Sequence, residues 1–239
     1  MNNRVLVLGA SGDIGMAVVK KLVREGWCVY AHYHKNEQRV TAAIEEFGKP
    51  DDIIPVQADL SSSQSVDKML KQLTDVHSIV HAGGKTYEGL LEETSDTVME
   101  ELWATHVYQP ARIVRALIPG MRRSKTGSIV FISSIWGETG ASYEVLYSAV
   151  KGAQQSFVKA LGKELAPSNV RVNAVSPGAV NTSMTAHYSE LDRLSIEDGI
   201  PMGRMALTDE IAGAVVFLLG NDASYITSHV LSVNGGWHA

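Results

Sequence analysis

Only one cysteine, Cys28, stands in the 239 residues, so no internal disulfide can form. That excludes a secreted disulfide scaffold and suits a reducing compartment. Blocks of like charge are missing as well: 26 acidic and 21 basic residues leave a net charge of −5, spread along the chain. Such a balance leaves no electrostatic footprint for nucleic acid. Long apolar runs are absent too. Val5-Leu6-Val7-Leu8 is too short for a signal-peptide core. Ile211 to Gly220 falls far below the roughly 20 residues that span a bilayer. The expectation is a soluble, cytoplasmic protein with no nucleic-acid partner, no membrane association and no metal. No repeat, low-complexity tract or linker divides the chain, so 1–239 reads as one domain.

What is present suffices for a core. With 45% apolar residues, a chain this long can bury most of its unfolded surface without disulfide or metal. Glycine is slightly rich at 21 residues, about 9% against a usual ~7%.

Short β-branched runs alternate with segments of helical period. The strand-like runs are Val5–Leu8, Cys28–His32, Ile53–Gln57, Ser78–His81, Ser128–Ser133, Val170–Val175 and Val230–Val233. Most are continuously apolar, as strands covered on both faces are. Between the first two, Ile14, Val18 and Leu22 form an i, i+4, i+8 stripe. The longest helices are expected over 95–118 and 143–165. This alternation predicts an α/β fold: a doubly wound parallel sheet with helices on both faces and right-handed crossovers. The least regular stretch, 178–207, is expected to hold a mobile substrate loop.

The first run leads straight into Gly9-Ala10-Ser11-Gly12-Asp13-Ile14-Gly15 and then a helical stripe. Glycines between a first strand and helix let backbone N–H groups approach a pyrophosphate at the helix N-terminus, where the dipole favours negative charge. Dinucleotide folds that prefer NAD place a carboxylate after the second strand. Here that region reads Ala31-His32-Tyr33-His34-Lys35-Asn36, with no carboxylate before Glu37. Its histidines and Lys35, beside Tyr33, can instead receive a 2′-phosphate, with Ser11 donating a hydrogen bond. NADP(H) is therefore the expected cofactor.

Tyr147 and Lys151 stand four residues apart on an expected helix, hence on one face. Ser134 lies thirteen residues before Tyr147, just past a strand. Reducing a ketone by hydride transfer places negative charge on its oxygen, which then needs a proton and a hydrogen-bond donor. A phenol with pKa near 10 needs help to work at neutral pH, and a nearby ammonium supplies it. Tyr147 is the expected acid, Lys151 its partner and a ribose anchor, and Ser134 the carbonyl donor.

These segments together resemble the short-chain dehydrogenase/reductase family over nearly the whole chain, from Gly9 to Val233-Asn234-Gly235-Gly236. The loop spacing departs from the compact members' G-x-x-x-G-x-G, because Asp13 occupies their middle glycine. The resemblance implies a seven-stranded Rossmann sheet, adenine held near Asp59 and Leu60, and a homotetramer or homodimer. It also implies cofactor contacts at Pro177 and Gly178 in Asn173-Ala174-Val175-Ser176-Pro177-Gly178, and at Val180 and Thr182. The family's N-N-A-G reads Val80-His81-Ala82-Gly83 here, which assigns cofactor contacts to His81, Ala82 and Gly83. Its catalytic asparagine, which holds a water in a proton relay to the lysine, aligns with His106; an imidazole relay and a helix histidine bound to a backbone carbonyl are both open readings.

Within the family the chain is similar to 3-oxoacyl-acyl-carrier-protein reductases. A narrower likeness is to the aminopentanone reductases of elongation factor P, carried by Phe131-Ile132-Ser133-Ser134-Ile135-Trp136-Gly137, Val150-Lys151-Gly152-Ala153-Gln154 and Asn234-Gly235-Gly236-Trp237-His238. Either implies a ketone presented on a carrier or partner protein. The competing expectations are an NAD(P)-dependent alcohol or sugar dehydrogenase and a non-catalytic NADP-binding module. Met184, Met202 and Met205 are candidates for the substrate entrance, with Trp136, Tyr143 and Glu144 bordering it. Trp237 is expected at a subunit contact, and Arg122, Arg123 and Lys125 as anchors for an acidic carrier.

Overall fold

Seven apolar runs become seven parallel strands in the computed structural model, which describes residues 4–238. They are β1 (Arg4–Leu8), β2 (Cys28–Tyr33), β3 (Ile53–Gln57), β4 (Ser78–His81), β5 (Gly127–Ile132), β6 (Val170–Pro177) and β7 (Val230–Val233). Their order across the single sheet is β3-β2-β1-β4-β5-β6-β7. The chain therefore builds outward from β1 to β3, then crosses back to lay β4 on the other side of β1. At that reversal Leu8 pairs with His81, and the connections leave in opposite directions. A crevice opens beyond the carboxyl ends of the strands at such a switch point.

Nine helices cover the two faces among the described residues: α1 (Asp13–Arg24), α2 (Glu37–Phe47), α3 (Ser63–Leu70), α4 (Asp96–Trp103), α5 (Gln109–Ser124), α6 (Trp136–Thr139), α7 (Val145–Leu165), α8 (Glu190–Asp198) and α9 (Thr208–Leu219). On one face, α1, α2 and α9 bury Val18, Leu22, Val40, Ile211 and Val215 against β1 and β2. On the other, α3, α5 and α7 bury Met69, Ile113, Val158 and Leu165 against β1, β4, β5 and β6. The stripe over Val18 and Leu22 is fully buried, while Asp13 in the first turn and Lys21 and Arg24 in the last complement the helix dipole. No helix among the described residues is long and apolar enough to cross a membrane.

Three boundaries differ from the sequence expectation. The helix expected over 95–118 is two helices, because Ala104–Tyr108 widens into a π turn that turns His106 inward. The second of them runs through Pro119 to Ser124 rather than stopping at 118. Pro119 and Arg115 are both exposed, so water can satisfy the Arg115 carbonyl that loses its partner. The stretch 178–207 contains a 3₁₀ turn at Ser183–Thr185 and helix α8, and a Val180–Ala206 bridge closes its base.

Candidate active site

Glycines set the spacing at the switch point. Gly9 has φ +78, and a side chain there would overlap the backbone of Ala82 and Gly83. Gly15, one helical turn into α1, packs directly on the Gly9 carbonyl and lies below the cavity wall. Gly12 caps α1 without any side-chain bond, which leaves the first N–H groups of the helix for an anion. His32 pins this loop: its Nδ1 accepts from Gly9 N–H at 2.9 Å, and its Nε2 lies 3.1 Å from the Ala58 carbonyl. Burial lowers the His32 pKa to about 4, so this histidine is a neutral brace and not a phosphate ligand.

The loop opens on a cavity of about 870 Å³ along the carboxyl ends of the strands. At its nucleotide end lie Ser11, Gly12, Asp13 and Ile14, with His34, Lys35, Asp59 and Leu60 beyond them. Ala82, Gly83, Pro177 and Gly178 form the middle, beside Val180 and Thr182. Besides Gly15, two more expected cofactor contacts lie off the cavity wall. Tyr33 is buried in the core beneath α1 and α2, because its position on β2 faces that layer. His81 sits behind the wall, with its ring edge-on to Phe131 at 5.3 Å. Asp13 lines the cavity, but its carboxylate is already engaged: it accepts from Arg39 at 2.6 Å and from Ser183 N–H and Oγ at 2.7 and 2.6 Å. The sequence reading missed Arg39. Its signal was Asn36, which caps α2 by accepting from Arg39 N–H and so turns residue 39 back toward the glycine loop.

Ser134, Tyr147 and Lys151 meet at the other end. Tyr147 and Lys151 occupy the first two turns of α7, and the ammonium lies 5.3 Å from the phenol ring centre. The Lys151 Nζ donates to the Ile132 carbonyl at 2.8 Å, and burial lowers its pKa to about 7. Burial, then the Glu144 charge, pushes the Tyr147 phenol above its ordinary range. At neutral pH the tyrosine therefore holds its proton, the state a proton donor needs. Helix α7 is held to the strand end by Ser133 Oγ donating to the Lys151 carbonyl (3.1 Å) and by Gln155 donating to Ser133 Oγ and the Ser134 carbonyl.

His106 enters from the π turn and is 1% exposed. Its Nε2 lies 2.8 Å from the Lys85 carbonyl, which assigns the ring proton to Nε2 and leaves Nδ1 a bare acceptor. The ring stands edge-on to Tyr147 at 5.8 Å and to His81 at 6.5 Å. Burial, with the Lys151 charge adding to it, lowers its pKa to about 3. Gln154 donates to the His106 carbonyl at 2.8 Å and so satisfies the widened turn.

On the substrate side, Trp136, Glu144 and Met184 line the cavity, while Tyr143 does not; Met205 is buried and Met202 exposed. Trp237 stacks edge-on against Trp136 at 5.4 Å on the cavity wall, because Gly235 and Gly236 (φ +64 and +84) turn the C-terminal segment back. Glu144 accepts from Thr86 Oγ1 at 3.2 Å, and burial together with the neighbouring Glu88 raises its pKa. Arg122, Arg123 and Lys125 lie at the far end of α5, off the cavity.

Residues 9–238 match the family model described as enoyl-(acyl carrier protein) reductase. The chain is 46% identical to the uncharacterized oxidoreductase YmfI of Bacillus subtilis (strain 168), over the full length of both. It is 35% identical to the 3-oxoacyl-[acyl-carrier-protein] reductase FabG of Aquifex aeolicus (strain VF5), covering 97% of this chain and 95% of that one. A solved short chain dehydrogenase/reductase family protein superposes with a TM-score of 0.89 at 31% identity, covering 98% of this chain and 96% of that one. On those likenesses the chain belongs to the short-chain dehydrogenase/reductase family of oxidoreductases.

Proposed function

We propose that this protein is an NADPH-dependent ketone reductase whose substrate carries a positive charge and is presented on a partner protein, with the aminopentanone modification of elongation factor P as the leading candidate. A neutral Tyr147 beside Ser134 and Lys151, at the end of a dinucleotide-sized cavity, is the observation that carries the reduction. The nicotinamide, when bound, supplies hydride to the carbonyl carbon. Tyr147 gives its proton to the oxygen as charge develops there, and Ser134 Oγ donates a hydrogen bond to the same atom. Lys151 supports the phenolate that remains, and its amine would hold the ribose hydroxyls. His34 and Lys35, with no carboxylate at the end of β2, support NADPH over NADH.

The substrate class rests on Glu144 and Glu88. Both line the catalytic end, and no lysine or arginine among the described residues pairs with either. Lys85, a cation lining the same cavity, is taken by Glu101 at 2.6 Å. An acidic wall flanked by Trp136 and Trp237 suits an ammonium better than an anionic carrier. The second reading, a 3-oxoacyl thioester, is supported by the printed names of the relatives, FabG among them.

Weighing elongation factor P by intact mass after deleting the gene separates the two. A modification lighter by two hydrogens is expected; an unchanged mass, with purified enzyme oxidising NADPH on acetoacetyl thioesters, would establish the second. A preference for NADH would overturn the cofactor assignment. The same reading places the enzyme in the cytoplasm as a homotetramer or homodimer, supported by Trp103 and Tyr108 standing half exposed along α4 and the π turn. Light scattering of the purified protein reads that state.

A further inference from the structure

The contact between Asp13 and Ser183 joins residues 170 apart in sequence, on opposite lips of the cavity. Asp13 is the first residue of α1 and stands where the family pattern has glycine. Ser183 opens the 3₁₀ turn at the start of the stretch that carries Met184, Tyr188 and α8 over the catalytic end. One carboxylate oxygen accepts both Ser183 N–H and Ser183 Oγ, and the other accepts Arg39, whose second nitrogen donates to the Ser11 carbonyl at 3.3 Å.

A carboxylate beside a pyrophosphate site is at first sight a liability, since like charges repel. The geometry removes that objection. Arg39 neutralises Asp13 from the side of α2, and the Ser183 N–H, at the start of a turn, finds its acceptor in Asp13, as such a group normally does in an acidic cap. Burial would raise the Asp13 pKa, but bonds from Ser183 and Arg39 outweigh it, so the group stays ionised at neutral pH. Ser183 and Met184 are themselves exposed and contribute little packing. A surface segment with few apolar contacts detaches at low cost, so these charge-assisted bonds dominate its hold on the nucleotide half.

We propose that Asp13 is a positioning residue that sets the release rate of the bound dinucleotide: by tying residues 182–185 to the glycine loop it closes the strap over the cofactor, and the cofactor leaves only after this tie breaks. The inference rests on the nucleotide-binding reading above, but on no choice of ketone.

The test is displacement of bound NADPH, followed by its fluorescence, in the intact protein and in Asp13→Gly, Asp13→Asn and Ser183→Ala. Asp13→Gly should release NADPH roughly ten- to a hundredfold faster, by loss of several charge-assisted bonds, and bind it more weakly. Asp13→Asn keeps an acceptor for Ser183 but loses the charge, and falls between. Ser183→Ala removes the hydroxyl alone and gives a smaller increase, which keeps the test open if Asp13→Gly folds poorly. Equal or slower release, or tighter binding in Asp13→Gly, would mean the carboxylate only repels phosphate, and overturns the proposal. Wild-type protein that binds no nicotinamide dinucleotide would instead overturn the function reading.

Discussion

The ring of His106 donates through Nε2 to the Lys85 carbonyl at 2.8 Å, and that single bond decides what the histidine can do. With its proton committed there and the cation suppressed by burial, the imidazole offers only an unpaired acceptor, Nδ1, in a ring that stands edge-on to Tyr147. It can therefore accept from a donor; it does not ferry protons by charging. His106→Asn, whose carboxamide also donates and accepts, should keep kcat within a few-fold, whereas His106→Leu should lose roughly ten- to a hundredfold. The pH–rate profile should keep its shape in both. If an ionisation limb vanished in His106→Asn, the shuttle reading would replace this one.

Tyr147→Phe removes the proton donor without changing the fit of the ring. NADPH affinity should stay near wild type while turnover falls by about 10² to 10⁴, the usual worth of a positioned acid. Fluorescence titration beside steady-state rates checks both halves. Substantial turnover in this variant would remove Tyr147 from the chemistry.

Three buried histidines, His32, His81 and His106, are held neutral well below their ordinary pKa, the first to about 4 and the last to about 3. Above pH 6.5 folded and unfolded chains bind equally few protons at these sites. Below it the unfolded chain takes up three that the folded chain refuses. Stability is then lost as pH falls from about 6.5 toward 4, at up to about 4 kcal/mol per pH unit. Melting temperature should drop by up to about 8–16 °C per unit in that window. His81→Asn should flatten the slope by about a third; a flat wild-type curve from pH 7 to 5 would contradict the neutral assignments.

Lys35 lies on the nucleotide end of the cavity just past β2, where NAD-preferring folds carry an acid. Lys35→Glu should lower NADPH affinity and raise NADH affinity, shifting their ratio by roughly thirtyfold or more through one charge reversal near the phosphate. Paired dissociation constants measure it. An unmoved ratio would place the 2′-phosphate elsewhere.

The sheet was legible because its strands are covered on both faces, which leaves continuous runs such as Val5–Leu8 and Ile129–Ile132 without polar interruption. The glycine loop and the Tyr147–Lys151 pair were legible because both are local, one set by turn geometry and the other by helical pitch. What stayed hidden depends on partners far away in the chain. A π turn needs one unpaired residue and a cap, and the cap is Gln154, 48 residues on. The places of Trp237 on the cavity wall and Tyr33 off it were not legible, because nothing local tells an aromatic which wall it will join. Arg39 escaped because its worth lies in Asp13, a residue that looked like a flaw in a glycine pattern.

Helix α7 is 21 residues long, about 31 Å, and carries both Lys151 and Tyr147 in its first two turns. Ser133 and Gln155 bolt those turns to the end of β5, so the reacting groups are registered by the two stiffest elements nearby. Trp136, Met184 and Trp237 stand on short turns or chain ends outside those bolts, and the side chain of Glu144 projects from the N-cap of α7. Recognition can thus be rewritten residue by residue while the chemistry keeps its alignment. An experimenter who wished to give this scaffold a new ketone would vary those four positions, leave α7 untouched, and expect turnover to survive most of the library.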